Sequence, residues 1–135
     1  MSFSGGCLCG AVRYEVSGDP AMVVNCHCKD CQKITGSVME TAVVVPKDAF
    51  KQTKGSVKDY PTTGQSGGKV HRMFCPECGS RLFAEADAMA GMWIVLAGSM
   101  DDASWIKPSA HIFTSHAQPW ANIPADAVTF PKMPG

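Results

Sequence analysis

Apolar and polar residues alternate most regularly at Val12-Arg13-Tyr14-Glu15-Val16, the two-residue period of a half-buried strand. Ser17-Gly18-Asp19-Pro20 turns it, and Ala21-Met22-Val23-Val24-Asn25 is a short apolar run leading to Cys26. Lys29-Asp30-Cys31-Gln32-Lys33-Ile34 has few strand formers and predicts a short helix stopped by Gly36. A strand over residues 39–45 ends at Pro46. Phe50-Lys51-Gln52-Thr53-Lys54 and Val57-Lys58-Asp59-Tyr60 are predicted as charged edge strands of a meander, joined by a Gly55-Ser56 turn. Residues 61–69 are the richest in turn formers and predict an exposed loop. Val70-His71-Arg72-Met73-Phe74 and residues 81–85 read as strands around Cys75-Pro76-Glu77-Cys78-Gly79. Residues 92–97 are continuously apolar, a core strand covered on both faces and ended by Gly98. Asp101–Trp105 predicts a turn of helix and His111-Ile112-Phe113-Thr114 a last short strand. Residues 117–124 hold too many prolines for regular structure.

Composition narrows the choice of function. The 135 residues predict a single domain, 1–135, and twelve basic residues balance twelve acidic ones. No run of like charge marks a nucleic-acid or anionic-membrane footprint. No apolar run approaches the ~20 residues of a membrane span, and the first residues lack the blocks of a signal peptide. The expected location is cytoplasmic. Trp93, Trp105 and Trp120 read as packing residues, and the eight methionines as core filler. His71, His111 and His116 read as ordinary polar residues, any of which could face a site.

The cysteines carry the chemistry. Their number, seven, is odd and they fall in tight clusters, which points to metal rather than a disulfide framework. Thiolates favour zinc over calcium or magnesium, with iron still open for a four-sulfur site. Cys75-Pro76-Glu77-Cys78-Gly79 has the form of a zinc knuckle, in which both sulfurs face one ion. Cys7 and Cys9, on an extended segment, would complete that tetrahedron. Cys26, Cys28 and Cys31 then form a second site of three thiolates. The alternative, Cys7 and Cys9 joining the trio, leaves the knuckle two ligands short. A closed four-thiolate site is structural, whereas a three-thiolate site keeps a corner for water or an incoming ligand. His27 lies between two ligands and is expected to point the other way.

The order C-x-C-G, C-H-C-x-x-C, C-P-x-C-G, then His-Ile-Phe and Pro-Trp resembles the glutathione-dependent formaldehyde-activating enzyme family, which includes centromere protein V. The resemblance runs from Gly6 to about Phe130. It implies a mostly β, tent-like zinc-stabilised domain of short antiparallel sheets. It also implies a structural zinc on Cys7, Cys9, Cys75 and Cys78, and a catalytic zinc on Cys26, Cys28 and Cys31. The implied activity is carbon-sulfur lyase chemistry, the reversible joining of glutathione and formaldehyde to S-(hydroxymethyl)glutathione. A metal-bound thiol loses its proton near neutral pH, and the thiolate attacks the aldehyde carbon. Lys29 or Lys33 is a candidate for holding a substrate carboxylate, and His27 or Asp30 for relaying a proton; the plainer reading of each, a solvated side chain near a helix start, is preferred. A different thiol or electrophile, a non-catalytic zinc module for a protein or peptide partner, and a redox or metal-buffering role are the competing readings.

Overall fold

The alternation in residues 12–16 becomes a strand whose inward side chains anchor the core. The computed structural model describes residues 1–134. Strands β1 (Ser2–Gly6), β2 (Arg13–Ser17) and β3 (Met22–Cys26) precede the helix α1 (Lys29–Thr35). Then follow β4 (Glu40–Pro46), β5 (Phe50–Lys54), β6 (Lys58–Thr63), β7 (Lys69–Phe74), β8 (Arg81–Ala86), β9 (Met92–Leu96) and β10 (Ala110–Ile112). A three-stranded sheet has the order β1-β2-β5, and a seven-stranded sheet the order β10-β3-β4-β9-β8-β7-β6. Pairing is antiparallel apart from β10, which joins β3 in parallel. The fold is mostly β, in short sheets.

The two faces of the large sheet have different tasks. Val43, Val45, Val95 and Phe83 point to the small sheet and pack with Val12, Tyr14 and Val16, all at most 2% exposed. Removing each such side chain from water contributes ~1.5–3 kcal/mol. Phe50, Phe83 and Trp93 extend this cluster with edge contacts. The opposite face carries Val24, Cys26, Ala42 and Ile112, with Ile94 packed against them.

Several elements differ from the sequence reading. Residues 2–6 pair with β2 as a hairpin, so Cys7 and Cys9 lie on a tight turn, closed by Cys7 N–H to Val12 O, and not on an extended segment. β5 and β6 are both edge strands, but of different sheets; the chain crosses between sheets at Gly55 and no hairpin forms. The exposed loop shrinks to residues 64–68, because β6 continues through Pro61. An edge strand tolerates proline, whose missing N–H costs no sheet bond on the open side. Asp101–Trp105 makes a turn without helix, and Phe113 leaves the last strand with φ 54°. Trp93 and Trp105 pack as expected, but Trp120 is 73% exposed on the irregular tail.

Candidate functional site

The turn after β1 and the reversal between β7 and β8 meet in space. Cys7 and Cys9 Sγ are 3.6 Å apart, and Cys9 Sγ lies 3.8 Å from Cys75 Sγ. With Cys78 they form a group whose sulfurs all lie within 4.8 Å of one another. A tetrahedron with Zn–S near 2.3 Å has sulfur–sulfur edges of about 3.8 Å. The spacing therefore fits zinc, and is far beyond the ~2 Å of a disulfide bond. Amides support the sulfurs: Val12 N–H donates to Cys7 at 3.2 Å and Glu77 N–H to Cys75 at 3.4 Å. The Ser80 hydroxyl donates to Cys78 and, with the Ser80 amide, lowers its pKa to about 6.

The second group is built where β3 runs into α1. Cys26 ends the strand, Cys28 caps the helix, and Cys31 lies in its first turn. The Cys31 amide donates to Cys28 Sγ at 3.3 Å, and Gly36 closes the helix at φ 69°. The three sulfurs lie within 4.8 Å of one another and all three residues are buried. Hydrogen bonds from Cys26 and Cys31 lower the Cys28 pKa to about 2, with help from the Cys31 amide and the Arg72 charge. The same sharing pushes Cys26 up to about 12 and raises Cys31. Three thiolates this close cannot all carry charge without a cation between them. This donor set suits zinc with one corner left for another ligand.

Behind the trio lie charged residues that the sequence reading missed. Cys31 Sγ is 3.7 Å from Glu40 Oε2, and Glu40 Oε1 is 3.6 Å from Arg81 Nη1. Burial raises the Glu40 pKa. Arg72 is 5% exposed, and its Nε donates to Thr62 Oγ1 at 3.4 Å. Charged residues inside strand patterns usually face water, so nothing local marked these two. The available signal was register: Arg72 pairs with Ala84 and Glu40 with Cys26, placing both on the sulfur-bearing face.

A half-enclosed cavity of about 110 Å³ opens beside the trio. Val24, Ala42, Val44, Ala84 and Ile94 form much of its wall, with Asp30, Glu40 and Arg72 as charged groups. Gln65, from the loop after β6, donates to Asp30 Oδ2 at 3.1 Å at the cavity. Phe113 lines it too, held in a left-handed backbone conformation that is uncommon outside glycine.

The other candidates fall elsewhere. His27 turns away from the sulfurs, as expected, and its Nε2 lies 2.9 Å from His111 Nδ1, fully buried. Lys29 and Lys33 are exposed and do not line the cavity. His116 Nδ1 accepts from the Lys29 amide, and His71 pairs with Asp59 at the surface.

Comparison with known proteins bears on the family and the fold. A sequence model of the family described as glutathione-dependent formaldehyde-activating enzyme matches residues 2–116. A Penicillium rubens protein, provisionally named a glutathione-dependent formaldehyde-activating enzyme, is 32% identical over 126 residues. That alignment covers 84% of this chain, which spans 63% of that relative's length. The crystal structure of a Rhodobacter sphaeroides protein matches in fold with a TM-score of 0.60 at 20% identity, over 78% of this chain and 91% of that one.

Proposed function

The chain belongs to the glutathione-dependent formaldehyde-activating enzyme family, and on that premise we propose that it joins a small thiol such as glutathione to a small electrophile such as formaldehyde. The reaction is reversible, of carbon-sulfur lyase type. One observation carries the reading: a second, closed sulfur cluster accompanies a buried three-sulfur cluster that opens on a cavity. Two zinc ions are assigned, a structural one on Cys7, Cys9, Cys75 and Cys78 and a catalytic one on Cys26, Cys28 and Cys31. At the three-cysteine position zinc supplies Lewis acidity, which brings the pKa of a neighbouring thiol toward neutrality.

The protein's own residues do the rest. Cys26, Cys28 and Cys31 present their sulfurs from one strand end and one helix start, so little rearrangement is needed. Arg72 places a fixed cation beside Cys28 and the cavity, favouring negative charge on a substrate sulfur and on the oxygen that gains charge as the C–S bond forms. Asp30 sits at the cavity, held by Gln65, where it can exchange a proton with that oxygen. The apolar walls and Phe113 keep competing water low in number. Lys29, Lys33 and His27 take no part in these steps. A single domain acting in the cytoplasm, without nucleic acid or membrane partners, is part of the proposal.

The test is exchange spectroscopy by NMR on glutathione and formaldehyde mixed with the zinc-loaded protein. Exchange well above the uncatalysed rate, absent in Cys28→Ser, is the expected result. No acceleration by the native protein would overturn the activity.

A further inference from the structure

We infer that the cavity beside Cys26, Cys28 and Cys31 seats the substituent of the electrophile, and that the electrophile accelerated most over its uncatalysed reaction is an aldehyde with a short alkyl chain rather than formaldehyde; the inference rests on the thiol and aldehyde reading above. Formaldehyde has no substituent to place. A dry aliphatic cavity of about 150 Å³ takes benzene; the 110 Å³ here must also admit the ion on the three sulfurs and the substrate sulfur, so the remainder suits a chain of only a few carbons. Its charged lining neighbours the sulfurs: Asp30 lies between Cys28 and Cys31 in the chain, Glu40 touches Cys31, and Arg72 is close enough to bias Cys28.

The apolar end is made by small residues where a sheet usually places large ones. Ala42, Ala84 and Ala86 all line the cavity, although alanine is a weak strand former. Ala84 pairs with Ile94 and Ala42 with Val24, so each short side chain leaves a gap beside a larger neighbour on the same face. Met133 closes the cavity from the tail, beyond the stretch 2–116 that matches the family. The tail is fixed there by main-chain bonds, Phe113 N–H to Lys132 O at 3.1 Å and Phe130 N–H to His111 O at 2.9 Å. The shape of this space therefore depends in part on a residue outside the stretch that matches the family.

The chemistry needs no redox partner. The substrate thiolate forms the C–S bond, the carbonyl π pair moves to oxygen, and that oxygen takes up one proton, balancing the one the thiol gave to solvent. The alkyl chain meanwhile lies against Ala42, Ala84 and Ile94. Each methylene buried there should raise kcat/KM, taken relative to the uncatalysed rate constant, about fourfold until the cavity is full.

Two experiments test this on the zinc-loaded protein. Butyramide, an unreactive molecule of butanal's length, should shift the methyl NMR signals of Ile94, Ile112 and Met133 saturably, and Ala84→Val should weaken that binding at least tenfold. In exchange assays with glutathione, kcat/KM divided by the rate constant of the uncatalysed addition should climb from formaldehyde to butanal and fall at hexanal, while Met133→Ala, a change on the tail, should move the optimum to longer chains. A flat series, or no butyramide binding while formaldehyde turns over, overturns the inference alone. Butyramide binding with no aldehyde turned over overturns the thiol and aldehyde chemistry, and the aldehyde assignment with it.

Discussion

Replacing Cys75 by serine changes one atom at a position with no exposed surface, yet it should cost more than any similar change in the trio. The sulfurs of Cys9 and Cys75 are 3.8 Å apart although the residues are separated by 66 positions. A clip closing a loop of that length removes ~4 kcal/mol of conformational freedom from the unfolded chain. The trio spans only residues 26–31, for which the same relation gives ~2 kcal/mol. In a chain of 135 residues, 4 kcal/mol corresponds to a fall of about 15 °C in Tm. Thermal unfolding by circular dichroism, with elemental analysis of each variant, reads this directly. Cys75→Ser should lose one zinc and about 15 °C, whereas Cys28→Ser should lose one zinc and all activity but only about half that Tm. Equal falls for the two variants, or a Cys75→Ser protein that loses its ion and keeps its Tm, would refute the division between a clamp and a reaction site.

Other consequences are open to test. Arg72→Lys keeps the charge but loses the planar fork, and should lower exchange about a hundredfold while leaving zinc content unchanged; near-native exchange would remove Arg72 from the reaction. Tyr14 is fully buried and its hydroxyl meets Ser99 Oγ at 2.6 Å. Tyr14→Phe should cost ~1 kcal/mol in urea unfolding, and no loss would mean that the hydrogen bond contributes nothing net. Burial holds the imidazoles of His27 and His111 below the usual histidine pKa, so the unfolded chain takes up protons that the native state resists. Stability is then full above about pH 6.5 and falls as the pH drops below that value toward the lowered native ones. His111→Gln should flatten this slope below about pH 6.5; an identical slope in the variant would assign it to other groups.

Much of this arrangement was legible in the chain. The knuckle spacing, the strand alternation in residues 12–16, the helix stop at Gly36 and the turning away of His27 are local properties, set by short-range geometry. What escaped was set by distant partners. β1 is Ser2-Phe3-Ser4-Gly5-Gly6, with no apolar alternation, because its glycines are demanded by contact: a Cβ on Gly5 would lie 2.4 Å from the Tyr14 hydroxyl and the Ser99 carbonyl. The separation of β5 from β6 is a choice between two sheets that neither segment encodes alone. Arg72 and Glu40 look like solvated strand residues until register places them behind the sulfurs. Ala42, Ala84 and Ala86, scattered over two strands, mark a cavity only when the sheet places them on one face, with β9 between them.

Anomalous diffraction at the zinc edge, on crystals of the protein as isolated, reads the central claim without any assay of activity. Two peaks should appear, one about 2.3 Å from all four sulfurs of Cys7, Cys9, Cys75 and Cys78, the other bonded to Cys26, Cys28 and Cys31 with a fourth ligand from outside the cysteine set. A single shared ion, or sulfur–sulfur bonds within the trio, would contradict it.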